Sequence, residues 1–146
     1  MLWTKFKNKL TLSLVMVHKV TMVRIRSKPA QDVNEELQWL GNSLGLFNLR
    51  DKDSSCFRIF ITLVKKSRGA EALSSDDIAE KLRLSRGTVV HHLTTLMEAG
   101  LVVKESEGYL LREATLERVV GDIHQDMEQM FAELKRIAKE IDEQLG

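Results

Sequence analysis

The chain has 146 residues, with 22 Lys and Arg against 21 Asp and Glu, and 43% apolar residues. That length holds one compact domain plus an extension, and that apolar fraction suffices for a core. A single cysteine, Cys56, excludes an intrachain disulfide and a cysteine-based metal site, and the formal net charge of +1 does not by itself point to nucleic acid.

The distribution of charge says more than its sum. Residues 114–146 carry eight acidic and four basic side chains, a net of −4, which leaves +5 for the remainder. A basic body with an acidic extension suits contact with a polyanion. The first 28 residues hold seven basic side chains and no acidic one. They read as a basic N-terminal extension. Lys5, Lys7 and Lys9 precede an apolar run from Leu10 to Val17, in the manner of a signal peptide. No small-residue cleavage site follows, His18 and Lys19 interrupt the run, and it is too short to span a bilayer. Met22 opens an ordinary start, so residues 1–21 read as an upstream extension from a misassigned start codon. The functional alternative is an arm that tracks DNA phosphates. Pro29 ends the segment.

Residues 29–50 are expected to hold an N-terminal helix. From Gln31 to Phe47 the apolar residues Val33, Leu37, Leu40, Leu44 and Phe47 recur at spacings of 4, 3, 4 and 3. This is an amphipathic helix pattern. Trp39 lies off the stripe and is expected against a partner helix. Asn48 to Asp53 is a linker with capping residues. A denser helix follows from about Ser54 to Lys66, carrying Phe57, Ile59, Phe60, Ile61, Leu63 and Val64, and Gly69 lies just beyond it. It is expected to support a domain spanning residues 51–113, with Cys56 as a small buried residue.

A short strand is expected at Glu71–Leu73. Ser74-x-x-Asp77 then fits a capping box, and Asp76 and Asp77 place negative charge at the positive end of a helix dipole. Ile78, Ala79 and Leu82 give this short helix its apolar face. Ser85 offers a fresh N-cap after only about two intervening residues, so the next helix must cross steeply, as in a helix-turn-helix. That helix runs from Arg86 to about Ala99, with Gly100 as its left-handed stop. Val89, Leu93, Leu96 and Met97 form its inner face. Arg86, Gly87, Val90, His91 and Thr94 lie on the other side, mostly in the first two turns. Recognition helices contact bases from those turns. Gly87 lets the backbone approach a phosphate, and Ser85 can bond one while capping. Thr88 completes this start of the helix, and Lys81 and Arg83 end the preceding one. The competing reading is a plain helical hairpin with a solvated outer face.

The next segment disfavours that reading. Leu101-Val102-Val103 and Tyr109-Leu110-Leu111 flank the turn residues Ser106, Glu107 and Gly108, and together they read as a β-hairpin. A helix-turn-helix followed directly by a hairpin is a winged helix. Lys104 and Arg112 flank the wing and are expected to reach the DNA backbone. Glu105 and Glu107 near its tip oppose deep insertion.

Residues 114–146 give the second strong pattern. Leu116, Val120, Ile123, Met127, Met130, Leu134, Ile137 and Ile141 alternate spacings of 4 and 3 without a break. This is a heptad seam. Thirty helical residues extend about 45 Å, too long for one small domain to cover. The stripe must therefore find a second chain or the helix at 31–47. Phe131 and Ala138 widen it, which favours a bundle over a bare two-stranded coil.

The run from Ile78 to Leu101, with its AEKL, LSxxTVxHHL and LxEAGLV phrases, resembles winged-helix transcription regulators of the ArsR type, in an archaeal style. The resemblance covers about residues 53–112, and is most specific at Ser85, Thr88, Val89, His91, His92, Leu93 and Glu98–Leu101. With the C-terminal seam, it leads to the expectation of a cytoplasmic homodimer acting on double-stranded DNA; no cofactor is expected. Val90 departs from the small polar residue usual in that family, so the reading surface is less polar; valine can still contact a thymine methyl. Some zinc sensors of the family carry a D-x-H pair on the C-terminal helix, as Asp122 and His124 do here. Their further ligands fall where this chain has Lys135 and Ala138, so no metal site is expected. No phosphate-binding loop, nucleophile elbow or paired-carboxylate constellation suggests an enzyme. The expected architecture is mainly α with a small β-wing: a winged helix-turn-helix plus a long C-terminal dimerisation helix. No membrane contact is expected. The alternative is a winged helix that binds a transcription-machinery protein without reading bases.

Overall fold

The computed structural model describes residues 20–47 and 54–146. The readings on residues 1–19, and on the linker at 48–53, lie outside the described residues. The elements are α1 (Val33–Ser43), α2 (Ser55–Ser67), α3 (Ser75–Leu82), α4 (Arg86–Glu98), β1 (Val102–Glu105), β2 (Gly108–Leu111) and α5 (Leu116–Leu145). The fold is mainly α with a small β-wing, as its periodicities require.

Helix α2 forms the centre. Its stripe of Cys56, Ile59, Phe60 and Leu63 is buried, and it meets Ile78 of α3, Val89, Leu93 and Leu96 of α4, and Leu111 of β2 in one core. Burying such side chains contributes about 1.5–3 kcal/mol each. Arg58 reaches off the stripe and donates from its Nη2 to the Leu82 carbonyl at 2.5 Å. That bond satisfies one of the orphan carbonyls at the end of α3. Arg83 then takes a left-handed conformation, φ +55°, which turns the chain sharply into α4.

Helix α1 is shorter than its apolar pattern. It stops at Ser43, and Leu46 N–H bonds back to the Gly41 carbonyl at 3.0 Å. Phe47 thereby folds back over Gly41, where a Cβ would stand 2.0 Å from its ring. The ring meets Phe57 edge-on at 5.2 Å. The last two apolar positions therefore serve the core from a turn. Trp39 is half-buried and engages the segment that precedes α1. Its indole N–H donates to the Ser27 carbonyl at 2.9 Å, and Val23 N–H bonds the Ser43 carbonyl at 2.7 Å. An extended strap from Val23 to Ser27 is thus tied along α1.

The hairpin pairs Val102 with Leu111, Val103 with Leu110, Lys104 with Tyr109 and Glu105 with Gly108. The strand expected at Glu71–Leu73 is reduced to one bridge, Leu73 to Tyr109, because Ser74 immediately becomes the N-cap of α3. Gly108 has φ +143°, and a Cβ there would lie 2.4 Å from the Leu73 carbonyl carbon. Only glycine accepts both that conformation and that approach.

Helix α5 is one continuous helix of 30 residues, capped by Thr115, whose side chain accepts from Arg118 N–H at 3.3 Å. Its base packs on the body through buried Val119 and Ile123 and half-buried Leu116 and Met127. Val120, expected in the seam, is 41% exposed. A globular body is met along the ordinary helical face, which selects Val119. Beyond Met127 every residue of the helix is exposed.

Candidate nucleic-acid interface

The helix-turn-helix is fixed by its caps. The Ser74 hydroxyl accepts from Asp77 N–H at 3.0 Å. The Ser85 hydroxyl accepts from Thr88 N–H at 3.1 Å and donates to the Thr88 hydroxyl oxygen at 2.8 Å. Substituting such a cap by alanine typically costs about 1 kcal/mol. Ser85 and Thr88 are thus engaged in starting α4, and Thr88 is only half-exposed.

The amphipathic split of α4 is sharp. Val89, Leu93 and Leu96 are fully buried, whereas Ser85, Arg86, Gly87, Val90, His91 and Thr94 are exposed. The Thr94 hydroxyl donates to the Val90 carbonyl at 2.9 Å, which leaves its oxygen as an acceptor toward solvent. His91 and His92 hold their rings 5.4 Å apart at 59°, with His91 exposed and His92 half-buried. Among the described residues, nothing beyond its chain neighbours and its own helix backbone comes within 4 Å of where a Cβ on Gly87 would stand. Nothing in the fold itself requires glycine there.

Lys81 and Arg83 are exposed at the end of α3. Lys104 is exposed on β1, with its ammonium 5.6 Å from the centre of the Tyr109 ring. Arg112 differs from the other ten predicted positions. Its side chain is only 10% exposed, and it donates from Nη1 to the Asp126 carboxylate at 2.7 Å, with Nε 3.6 Å from the Asp122 carboxylate. It faces the base of α5 and joins the wing's end to that helix, because two carboxylates on α5 outcompete solvent for it. It is not gathered with the outer face of α4.

One residue escaped the sequence reading. Asp76, taken there only as a helix-dipole charge, lies 3.5 Å from the Arg86 Nε, with both side chains 73% exposed. The capping pattern fixed α3 but gave no sign that its first turn faces the first turn of α4.

The predicted dimerisation residues divide. Leu116, Ile123 and Met127 pack on the body, while Val120, Met130, Phe131, Leu134, Ile137 and Ile141 are exposed by 40–61%. Along the same helix Arg136 bonds Glu133 at 2.6 Å and Glu140 at 2.7 Å. Its guanidinium holds the Glu133 carboxyl below the usual range. His124 lies 3.4 Å from Glu128. Among the described residues, no group of three or more His, Cys, Asp or Glu is placed to hold a metal, and no helix is long and apolar enough to cross a membrane.

Residues 67–104 match the family model described as bacterial regulatory protein, arsR family. That match supports an ArsR-like helix-turn-helix regulator, and the hairpin after it fits a winged helix. A domain of this kind supports a DNA-binding transcription regulator, and such regulators are generally non-enzymatic. No curated protein and no solved structure matches the chain.

Proposed function

With an ArsR-like helix-turn-helix as the premise, we propose that the protein regulates transcription as a homodimer, each protomer placing α4 in a major groove of double-stranded DNA. Such a regulator works on the chromosome, in the cytoplasm. The observation that carries this reading is the outer face of α4. It is exposed at its N-terminal turns, polar there except at Gly87 and Val90, sealed to the core behind, and opens with a glycine that the fold does not need. Arg86 is assigned to a base edge, the Val90 methyls to a thymine methyl, and His91 and Thr94 to the next turn of the groove. Lys81, Arg83 and Ser85 are assigned to flanking phosphates, which set register without reading sequence. Lys104 is the one wing cation assigned to the backbone, with Glu105 and Glu107 keeping the wing shallow. The exposed stripe of α5 is assigned to the same stripe of a second protomer. Two half-sites would then lie about 34 Å apart or a multiple of it.

A second reading has an observation in its favour. Val90 is 38% exposed at the middle of this face, and Asp76 lies 3.5 Å from Arg86, which starts the same helix, so a protein surface would also fit. Salt separates the two. Affinity for random duplex should fall steeply with salt if Lys81 and Arg83 neutralise phosphates, and Arg83→Ala should lower the slope by about one unit. Selection from randomised duplex should return a motif, and Arg86→Ala should cost about 1–3 kcal/mol at one position of it. A flat salt dependence and no selected motif would transfer the function to protein recognition.

A further inference from the structure

Asp76 is hard to account for in a surface that binds DNA. The N-terminus of a helix carries partial positive charge and free N–H groups, a natural seat for phosphate. Here α3 opens instead with Asp76 and Asp77, both exposed. The first helix of a helix-turn-helix crosses the DNA backbone, so an anion at its start works against binding in general. Capping does not need Asp76, because Ser74 receives the bond from Asp77 N–H. The Asp76 carboxylate lies 3.5 Å from Arg86 Nε. Both side chains are 73% exposed, so this pair contributes little to stability.

We propose that Asp76 is a specificity-determining residue, which braces the Arg86 guanidinium for a guanine edge and penalises its use on phosphate. This rests on the DNA-reading role proposed for α4. The geometry gives the reason. A guanidinium has five N–H donors in a rigid fork. With Nε held toward Asp76, the edge formed by the two Nη groups stays free for the O6 and N7 acceptors of guanine. Arg86 can then keep its carboxylate and read a base together. At a site without guanine, Arg86 gains only by swinging to a phosphate. That movement strands the Asp76 charge beside the same backbone, and like charges brought together suppress wrong partners. The carboxylate thus lowers affinity everywhere and lowers it least where guanine is present.

The experiment is selection from randomised duplex by the full-length protein, its Asp76→Asn variant and its Arg86→Ala variant, followed by affinities for the wild-type motif and for random duplex at one salt. Asparagine keeps the shape and removes the charge, and the site is exposed, so thermal unfolding should barely change. Wild type should enrich guanine at one position of each half-site. Asp76→Asn should relax that position, bind random duplex roughly three- to ten-fold more tightly, and lose at most that same factor, roughly three- to ten-fold, in the ratio of motif to random affinity. Arg86→Ala should erase the same guanine, and Asp76→Asn added to it should change the ratio no further. An Asp76→Asn variant that selects the same guanine at an unchanged ratio overturns the inference while leaving the DNA reading intact. So does one that loses both affinities equally, which would mark a purely structural residue. If wild type selects no motif, the DNA reading itself fails and this inference falls with it.

Discussion

The winged body and the far half of α5 are built from the same kinds of residue and end in opposite states. Phe60, Leu63, Leu93 and Leu96 are fully buried, whereas Phe131, Leu134 and Ile141 are 55%, 61% and 49% exposed. Both sets follow regular helical spacing. The difference is supply: α2 has α3, α4 and the hairpin around it, and the far half of α5 has no cover among the described residues. Apolar spacing therefore says that a face seeks cover, not which molecule provides it. Most helical stability in proteins comes from packing an amphipathic face, which the far half of α5 does not do here, and its exposed Arg136 pairs contribute little. A contiguous apolar stripe left open on a folded body marks an interaction surface.

That contrast can be broken at either end. Phe60→Ala empties the centre of the core and should cost about 3–5 kcal/mol, read as a large fall in the denaturation midpoint. Leu134→Glu combined with Ile137→Glu should leave the body's near-ultraviolet signature intact, because neither side chain touches it. Charges in an apolar seam cost several kcal/mol per unpaired ion, so light scattering should report monomers. A double variant that stays dimeric moves the interface to another surface, α1 and its strap first.

What was legible in the sequence follows the same division. Local rules read well: the Ser74 and Ser85 caps, the sharp turn between α3 and α4, the hairpin, and the helical face of α4. Each depends on neighbours a few residues away. Contacts that depend on distant residues did not read. The 3.5-residue seam included Val120, but the body takes Val119, and only the docked position of α5 decides between adjacent valines. Arg112 looked like a wing cation because its two carboxylates, Asp122 and Asp126, belong to a helix whose docking the spacing does not reveal. Arg58 sat unremarked in an apolar helix until Leu82 was brought to it. Asp76 was legible as a dipole charge and illegible as the neighbour of Arg86.

Arg112 gives the next effect in size, because it joins the end of the wing to the base of α5. Arg112→Met keeps the length and removes the charge, leaving Asp122 and Asp126 facing a neutral side chain. Breaking a buried pair costs about 3–5 kcal/mol. Asp126 is 29% exposed and solvent will share the burden, so about 2 kcal/mol is expected. Urea unfolding should show the loss, and proteolysis should cut earlier near residues 112–116, where α5 meets the wing. Lys104→Ala is the control, since that ammonium is exposed and the loss of its contact with the Tyr109 ring should cost no more than about 0.5–1 kcal/mol. If Arg112→Met keeps full stability and instead weakens binding to random duplex, the inward contact is not its role and the wing uses it on DNA.

The smallest effect has two signs, and that makes it informative. Gly87 lies in the first turn of α4, where glycine costs roughly 0.5–1 kcal/mol relative to alanine. Apart from its chain neighbours and its own helix backbone, no described residue comes within 4 Å of a Cβ placed there. Gly87→Ala should therefore stabilise the body by up to about that amount, raising the unfolding midpoint slightly. Within the chain the substitution is pure gain. The face is open only outward, so any penalty must come from a partner. If the backbone at Gly87 closes on a phosphate, the added methyl should weaken binding to random and selected duplex alike, because phosphates are common to both. Higher stability with lower DNA affinity in one variant would mean that α4 gives up stability for contact. Higher stability with unchanged affinity would mean that this turn stays clear of the backbone, and the reading surface would start at Val90 and His91.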